Sequence, residues 1–254
     1  MLVRFLGTGT STGVPEIGCR CEVCTSSDSR NQRLRCSVLI EHNNANILID
    51  CSPDVRQQLL GLPFKKIDGV LITHEHFDHV AGIEDMRPYN KFGSLNIYAE
   101  PNVNEALINR MPYLFGRKTY GYVPNINLVD INNLEPFEID EVPIIPIRVM
   151  HHMLPIVGYR INDFAYLTDL KTLPEDEIEK LKNLDTLVVS ALRYEKHISH
   201  QTVEEAIQLA ERIGAKRTYF THMSHHVGLH KVVEHRLPES CFLAYDGLEI
   251  KVEN

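Results

Sequence analysis

The sequence predicts a mixed α/β protein in which strand-like runs end at groups that can bind metal. Short apolar runs recur along the whole chain, and turn residues and a few helix-like segments separate them. Four of these runs are followed at once by a metal-capable residue, namely His74, His151, Asp169 and His222. Because strands of one sheet can end at a common edge, we expect these four side chains to converge there.

Composition sets the class of protein. The chain has 254 residues, and no linker or low-complexity tract divides it, so we expect a single domain over residues 1–254. A net charge of −8 argues against a nucleic-acid partner, since phosphate binding needs a basic surface. No run approaches the ~20 apolar residues of a membrane span, and the N-terminus lacks the pattern of a secretion signal. We therefore expect a cytoplasmic protein with a small-molecule substrate, and a homodimer is one option for its assembly.

The first half of the chain alternates strands with short helices. Asn43-Asn44 predicts the turn of a hairpin, and Pro53 and Gly61 bound a helix. The predicted elements are strands at 2–6, 35–40 and 46–50, a helix at 53–60, a strand at 67–73, a helix at 79–89 and a strand at 95–99. Residues 100–133, which include the aromatic segment 113–122, show the least regular pattern and are expected to form a long loop or lid.

The second half repeats this alternation. Strands are predicted at 142–150, 164–168, 187–192 and 217–221. Thr202 and Glu205 have the spacing of a capping box, and Gly214 is a typical helix end, so a helix is expected between them.

The stretch HEHFDH at residues 74–79 indicates a metal centre. A lone histidine or aspartate is usually a core or turn residue, and we accept that interpretation for His42 and His235. Four metal-capable side chains within six positions do not fit it: His74, His76, Asp78 and His79. Imidazole and carboxylate suit zinc, manganese or iron. The first two can reach one ion, and the last two can turn to a second.

This motif is identified as the HxHxDH signature of the metallo-β-lactamase superfamily. The resemblance implies a four-layered αββα sandwich with a di-metal site, built here from His74, His76, Asp78, His79, His151, Asp169 and His222. It implies two divalent ions, Zn or Mn, with Asp169 as the bridging ligand. Asp78 is a candidate catalytic residue as well as a ligand. The segment that begins at Met153 resembles the family pattern in the register that makes His151 the ligand, and His152 is the alternative.

A second cluster has the form C-x-C-x-x-C. A disulfide among Cys19, Cys21 and Cys24 would leave one thiol unpaired, and the expected compartment is reducing, so a structural zinc fits better and needs a fourth ligand. His225 is the candidate, with His226 and His230 as competitors. Asp50, after an apolar run, is expected to hold a ligand histidine or the HEHFDH loop by hydrogen bonds. The remaining cysteines are expected in the core: Cys36, Cys51 and Cys241.

The cysteine loop and the segment Thr221-His-Met-Ser-His225 together resemble a narrower group of the superfamily. This group is the phosphoribosyl cyclic phosphate phosphodiesterase of the carbon–phosphorus lyase pathway and its relatives. The resemblance implies hydrolysis of a small, cyclic phosphodiester by a metal-activated hydroxide. It also implies a catalytic histidine before the capped helix. His200 occupies that place here and would assist the leaving group. His197 is a weaker candidate for contacting phosphate.

Two other functions compete with this interpretation. A tRNA 3′-processing endonuclease of the tRNase Z kind would need a basic RNA-gripping arm, which the sequence does not indicate. A non-catalytic metal-binding sensor on the same fold would not need His200 in addition to a complete ligand set.

Overall fold

The computed structural model describes residues 1–115 and 124–253. The strands in chain order are β1 (Leu2–Gly7), β2 (Ser37–His42), β3 (Ala45–Ile49), β4 (Gly69–Leu71), β5 (Leu95–Ala99), β6 (Ile126–Asp130), β7 (Phe137–Ile139), β8 (Val142–His151), β9 (Leu154–Ile161), β10 (Phe164–Leu167), β11 (Thr186–Ser190), β12 (Arg217–Thr221), β13 (Cys241–Leu243) and β14 (Glu249–Lys251). The α-helices are α1 (Val55–Leu60), α2 (Phe77–Val80), α3 (Pro101–Arg110), α4 (Val203–Ile213) and α5 (His230–Glu234). Within the described residues, 3₁₀ segments cover Ser29–Asn31, Ala81–Phe92, Glu175–Leu181 and His225–Val227.

The strands form two seven-stranded sheets. One has the order β14-β1-β2-β3-β4-β5-β6, and the other has the order β13-β12-β11-β10-β9-β8-β7. In the first sheet β3, β4, β5 and β6 pair in parallel, and in the second β10, β11, β12 and β13 do so. Parallel neighbours end at the same edge of a sheet, and the loops that leave this edge carry the metal-capable residues.

The two sheets pack face to face, and helices cover both outer faces. Phe5 and Ile40 of one sheet share a fully buried cluster with Tyr159 and Phe164 of the other. The outer face of the first sheet is covered by α1, α3 and the segment Ala81–Phe92, and that of the second by α4, α5 and Glu175–Leu181. This arrangement is the αββα sandwich that the resemblance implied, so the predicted fold class is confirmed.

Several local predictions are confirmed almost to the residue. The hairpin turns at Asn43, whose φ is +52°, and β5 begins and ends as expected. Helix α4 carries the full capping box: the Thr202 side chain accepts from the Glu205 N–H, and the Glu205 side chain accepts from the Thr202 N–H. Gly214 ends this helix in the left-handed conformation.

The helix predicted at 79–89 was wrong in type and bounds. The α-helix there is only Phe77–Val80, and the chain continues as the 3₁₀ segment Ala81–Phe92. Pro88 lies inside that segment and has no N–H to donate to an α-helical hydrogen bond.

The loop predicted at 100–133 was also wrong. It contains helix α3 and strand β6. Pro101 at the first position of α3 starts the helix, and Val103 and Leu107 bury its inner face at helical spacing. Most of the aromatic segment predicted as a lid lies at 116–123, outside the described residues. Among the helices of the described residues, none is both long and apolar enough to cross a membrane.

Candidate metal centre

The HEHFDH loop leaves β4 at the shared strand edge and becomes α2. His74 and His79 are 2% and 0% exposed, and Asp78 is also buried, whereas His76 lies at the surface. Three ionisable side chains are thus removed from water within six residues, which would be costly unless each one finds a partner.

Asp50 holds this loop by hydrogen bonds. Its Oδ1 accepts from the Thr73 N–H at 2.9 Å, and its Oδ2 accepts from the Thr73 hydroxyl at 3.0 Å. The same Oδ2 lies 2.7 Å from Nδ1 of His79. The predicted supporting role of Asp50 is therefore confirmed for both the loop and a histidine. Because a carboxylate only accepts, Nδ1 of His79 carries the proton, and the lone pair of a neutral ring is on Nε2.

Asp169 stands at the centre of the cluster. It follows β10 with a φ of +52°, and His222 follows β12 with a φ of +55°. Asp169 Oδ2 lies 2.9 Å from Nε2 of His79, and Oδ1 lies 3.2 Å from Nε2 of His222. Backbones in this sparsely populated region are typical of functional sites.

His151, and not His152, faces this centre. Nδ1 of His151 donates to the backbone carbonyl of Asp169 at 2.9 Å, which leaves Nε2 as its lone pair. Its ring centroid lies 5.3 Å from that of His76. His152 lies at the exposed turn between β8 and β9, with a φ of +56°.

The side chains fit a centre of cations. Ligand atoms lie within 4.8 Å of one another in three overlapping groups: His74, His79 and Asp169; Asp78, His79 and His222; and His151, Asp169 and His200. His76 joins them through its ring, 4.5 Å from that of His74. Nε2 of His74 is buried and has no hydrogen-bond partner among the described residues, and Nε2 of His79 and of His222 face carboxylate oxygens, which do not donate. Buried acceptor atoms that converge without donors between them are what a divalent ion requires.

The electrostatics also favour a cation. Burial holds the pKa of His74 well below its usual value. Burial acts in the same direction on His79, but the carboxylates of Asp50, Asp169 and Asp78 outweigh it and raise the pKa of His79 well above its usual value. Positive charge is therefore stabilised at the point where these carboxylates meet.

His200 lies against the same centre. It precedes α4 and is 9% exposed. Its Nδ1 lies 3.4 Å from Asp169 Oδ1, and its ring stacks on that of His222 at 4.9 Å. Burial, followed by the charge of His222, lowers the pKa of His200 to about 3. The imidazole is therefore neutral at neutral pH. His197 lies beside it at 5.0 Å, and its Nδ1 accepts from the Ser199 N–H.

The four groups of the cysteine loop also come together. Nδ1 of His225 lies 3.6 Å from Sγ of Cys19 and 3.3 Å from Sγ of Cys21, and Cys24 completes the group. A hydrogen bond from the Cys24 N–H is the main cause that lowers the pKa of Cys21 to about 6, so this thiol ionises readily. Three thiols and one imidazole form a typical structural zinc set.

The competing histidines do not join the cysteine group, although the ring of His226 lies 4.0 Å from that of His225. His226 is exposed, and His230 is buried against Arg33 and Glu234. The remaining three cysteines are buried, as expected: Cys36, Cys51 and Cys241.

Two supporting residues were missed from the sequence. Thr73 holds Asp50 through both its N–H and its hydroxyl, and its position directly before His74 was the available signal. Glu16 places Oε2 3.4 Å from Nε2 of His225, while its backbone N–H donates to Sγ of Cys24. Nothing in the sequence pattern singles out Glu16, because its role depends on the fold of the loop.

Comparison with known proteins identifies the family. The family model described as the β-lactamase superfamily domain matches residues 45–223 of the sequence, which is more than half of the chain. The chain belongs to the metallo-β-lactamase superfamily. A diphosphatase from the PhnP family has a similar structure, with a TM-score of 0.92 and 36% identity over 99% of this chain and 98% of that one. The resemblance found in the sequence is thus confirmed, and this membership supports a metal-dependent hydrolase.

Two further similar proteins differ in their sequence identity to this chain and in their named activity. An octanoyltransferase of Porphyromonas gingivalis is 44% identical over 251 residues, which cover 98% of this chain and 51% of that protein. The chain spans about half the length of such curated relatives. The short form of human tRNase Z superposes over 100% of both chains with a TM-score of 0.71, but at 19% identity it shows the fold alone.

Proposed function

We propose that this metal-dependent hydrolase is a phosphodiesterase that cleaves a small, cyclic phosphodiester. One observation carries the proposal: a buried, neutral imidazole, His200, lies 3.4 Å from Asp169 at the centre of the ligand cluster. A histidine in this position has no need to act as a further ligand if the seven others suffice. It has an obvious use beside a leaving oxygen.

The ligands divide between two ions, Zn or Mn. In this proposal His74, His76 and His151 would hold the first ion, Asp78, His79 and His222 would hold the second, and Asp169 would serve both. When bound, such ions supply an activated water and neutralise phosphoryl oxygens. A third ion, a structural zinc, is held by the cysteine loop and His225.

His200 then acts on the leaving oxygen. In this proposal the one proton of the neutral ring lies on Nε2, the nitrogen that would face the substrate, because Nδ1 makes no hydrogen bond among the described residues. Since the lowered pKa keeps the ring neutral, the contribution is an N–H hydrogen bond to the developing alkoxide rather than a fixed positive charge. Such a bond strengthens as the P–O bond breaks, so it stabilises the transition state more than the bound substrate.

A second candidate reaction is hydrolysis of a diphosphate bond. It is favoured by the likeness, at 36% identity over nearly the whole chain, to a protein described as a diphosphatase. This reaction also breaks a P–O bond, but its leaving group is a phosphate and is already a weak base. It would therefore depend less on His200.

The test compares three substrates on protein saturated with Zn or Mn: a five-membered cyclic sugar phosphate, a sugar–nucleoside diphosphate and bis(p-nitrophenyl) phosphate. We expect kcat/KM to be highest for the cyclic phosphate. A preference for the diphosphate would select the second candidate. Turnover of none of the three, with all ions bound, would favour a non-catalytic sensor.

A further inference from the structure

Lys171 lies in the loop that carries Asp169, and its side chain contacts the loop that carries His200. It lies two positions after Asp169. Its Nζ is 3.2 Å from the backbone carbonyl of His200 and 3.1 and 3.0 Å from the two carboxylate oxygens of Glu205. An ammonium group has three protons, and three acceptors lie around this one.

Glu205 is held just as firmly. It is the third residue of α4, and its Oε2 also accepts from the Thr202 N–H at 2.8 Å. The Thr202 hydroxyl accepts in return from the Glu205 N–H at 3.1 Å. The carboxylate therefore caps the helix and fixes Lys171 with the same oxygens. Since His200 lies directly before this capped turn, the position of its backbone depends on the pair.

A backbone hydrogen bond joins the same two loops. The Gln201 N–H donates to the carbonyl of Leu170 at 3.0 Å. The carbonyl of His200 and the N–H of Gln201 belong to the same peptide group, so this bond and the contact with Lys171 hold the two sides of one peptide. Removing Lys171 would leave this peptide fixed from the side of Gln201 alone.

We propose that Lys171 and Glu205 are positioning residues that set the imidazole of His200 relative to Asp169. The proposal rests on the proposed role of His200. Lys171 is the basic residue nearest to Asp169 in the sequence, and this closeness would otherwise make it a candidate phosphate ligand. Its three protons are already directed at protein oxygens, so it acts through His200 and not on the substrate.

The two roles predict different kinetics for Lys171→Met. If Lys171 positions His200, kcat on a cyclic sugar phosphate should fall by about 10- to 100-fold, since a misplacement of ~1 Å at a reacting group costs up to ~10². Turnover of bis(p-nitrophenyl) phosphate, whose leaving group needs little help, should change by less than about 3-fold. KM should stay the same on both. A rise in KM by one common factor on both substrates would instead show phosphate binding and overturn the proposal.

Three variants control for folding. Lys171→Arg keeps a cation and should restore much of the lost kcat on the cyclic phosphate. Lys180→Met removes a lysine that pairs with Glu177 at 2.9 Å, away from the centre, and should leave kinetics unchanged. Glu205→Gln keeps an oxygen for the helix cap but removes the charge that holds Lys171. It should reproduce the substrate-selective loss even if Lys171→Met does not fold.

A double-variant cycle separates this proposal from the proposed function. In a His200→Ala background, adding Lys171→Met should cause no further loss on the cyclic phosphate, because residues that act as one unit are not additive. A second full loss would overturn the positioning role. If His200→Ala lowers kcat while Lys171→Met and Glu205→Gln do not, the positioning proposal alone fails. If His200→Ala has no effect on either substrate, the proposed role of His200 fails, and the positioning proposal fails with it.

Discussion

The strand edge and the cysteine loop gather metal-ligand groups in two different ways. At the edge, buried side chains come from the ends of several strands and are fixed by protein hydrogen bonds, such as that from His79 to Asp50 at 2.7 Å. In the loop, Cys19, Cys21 and Cys24 come from one irregular segment and are only partly buried. The edge is shaped by the sheets, whereas the loop is shaped by short turns, such as the bond from the Thr25 N–H to the Cys21 carbonyl at 3.1 Å. The two regions should therefore respond differently when a ligand or an ion is removed.

The two regions meet in one short segment. His222 belongs to the edge and His225 to the loop, and Met223 lies between them. The Met223 N–H donates to the carbonyl of Thr8 at 3.0 Å, and its carbonyl accepts from the Thr10 N–H at 3.1 Å. The backbone next to His222 is thus held by the N-terminal strand and its loop without any help from the thiols. Loss of the proposed zinc ion from the loop should then leave the edge in place.

The largest effect is expected for Asp169→Ala. Its carboxylate lies within 3.2 Å of both His79 and His222, so its removal disrupts both proposed ion sites and should reduce phosphodiester hydrolysis to background. The domain should stay folded. Burying the Asp169 carboxylate without ions costs free energy, and the variant no longer carries that cost. The measurements are kcat at saturating metal and the circular dichroism spectrum. Asp163→Ala, near the opposite end of β10 and more exposed, is the matched control. Near-native turnover by the Asp169 variant would exclude the bridging role.

His200→Ala should come next in size. It removes the proposed hydrogen bond to the leaving oxygen, and help of this kind is worth about 10²–10⁴ in rate. The loss should appear in kcat on a cyclic sugar phosphate and be much smaller on a p-nitrophenyl ester, with unchanged metal content. His235→Ala, at an exposed position, should change neither. Equal losses on both substrates would indicate phosphate positioning or stabilisation of charge in the transition state. Loss on neither would make His200 a structural residue.

Cys21→Ser tests the separation of the two regions. We expect about three ions per native chain, two at the edge and one in the loop. The variant should lose the loop ion, keep the other two, and retain activity within about 10-fold, since the edge is held independently. Elemental analysis of the purified protein gives the count, and Cys241→Ser, at a buried position outside the loop, should keep all three. Loss of every ion from folded protein would refute the two-site division.

Sequence reasoning was strongest where short motifs carry the ligands. HEHFDH and the cysteine spacing indicate metal centres by residue type alone, and the apolar runs place His151, Asp169 and His222 at strand ends. The residues that hold these groups were mostly invisible, because Thr73, Lys171 and Glu16 act through contacts that only the folded chain creates. Asp50 was the exception, since it shares the position after an apolar run.

The errors in the fold have physical causes. The segment after HEHFDH was expected to continue as an α-helix, but Pro88 falls within it and the chain tightens into a 3₁₀ segment. Helix α3 was missed because residues 100–133 were taken together as an irregular stretch, although Pro101 stands at the first helical position, where proline is common. In both cases the effect of a proline depends on its position within the helical segment. The apolar pattern of such a short segment does not show that position.

The smallest expected effects come from the two carboxylates that support histidines, Asp50 and Glu16. Asp50 is fully buried and accepts from three donors, and the amide of Asp50→Asn would turn a donor toward one of them. This variant should weaken metal binding at the edge by about 10- to 100-fold, the usual cost of losing such a partner.

The Glu16 side chain is 43% exposed and lies 3.4 Å from Nε2 of His225. Because exposed ion pairs contribute only about 0–1 kcal/mol, Glu16→Gln should weaken the loop zinc by less than about 5-fold. Competition with a chromophoric chelator at constant pH, followed by elemental analysis at each chelator concentration, measures both affinities. Equal losses in the two variants would show that burial does not set the difference between the edge and the loop.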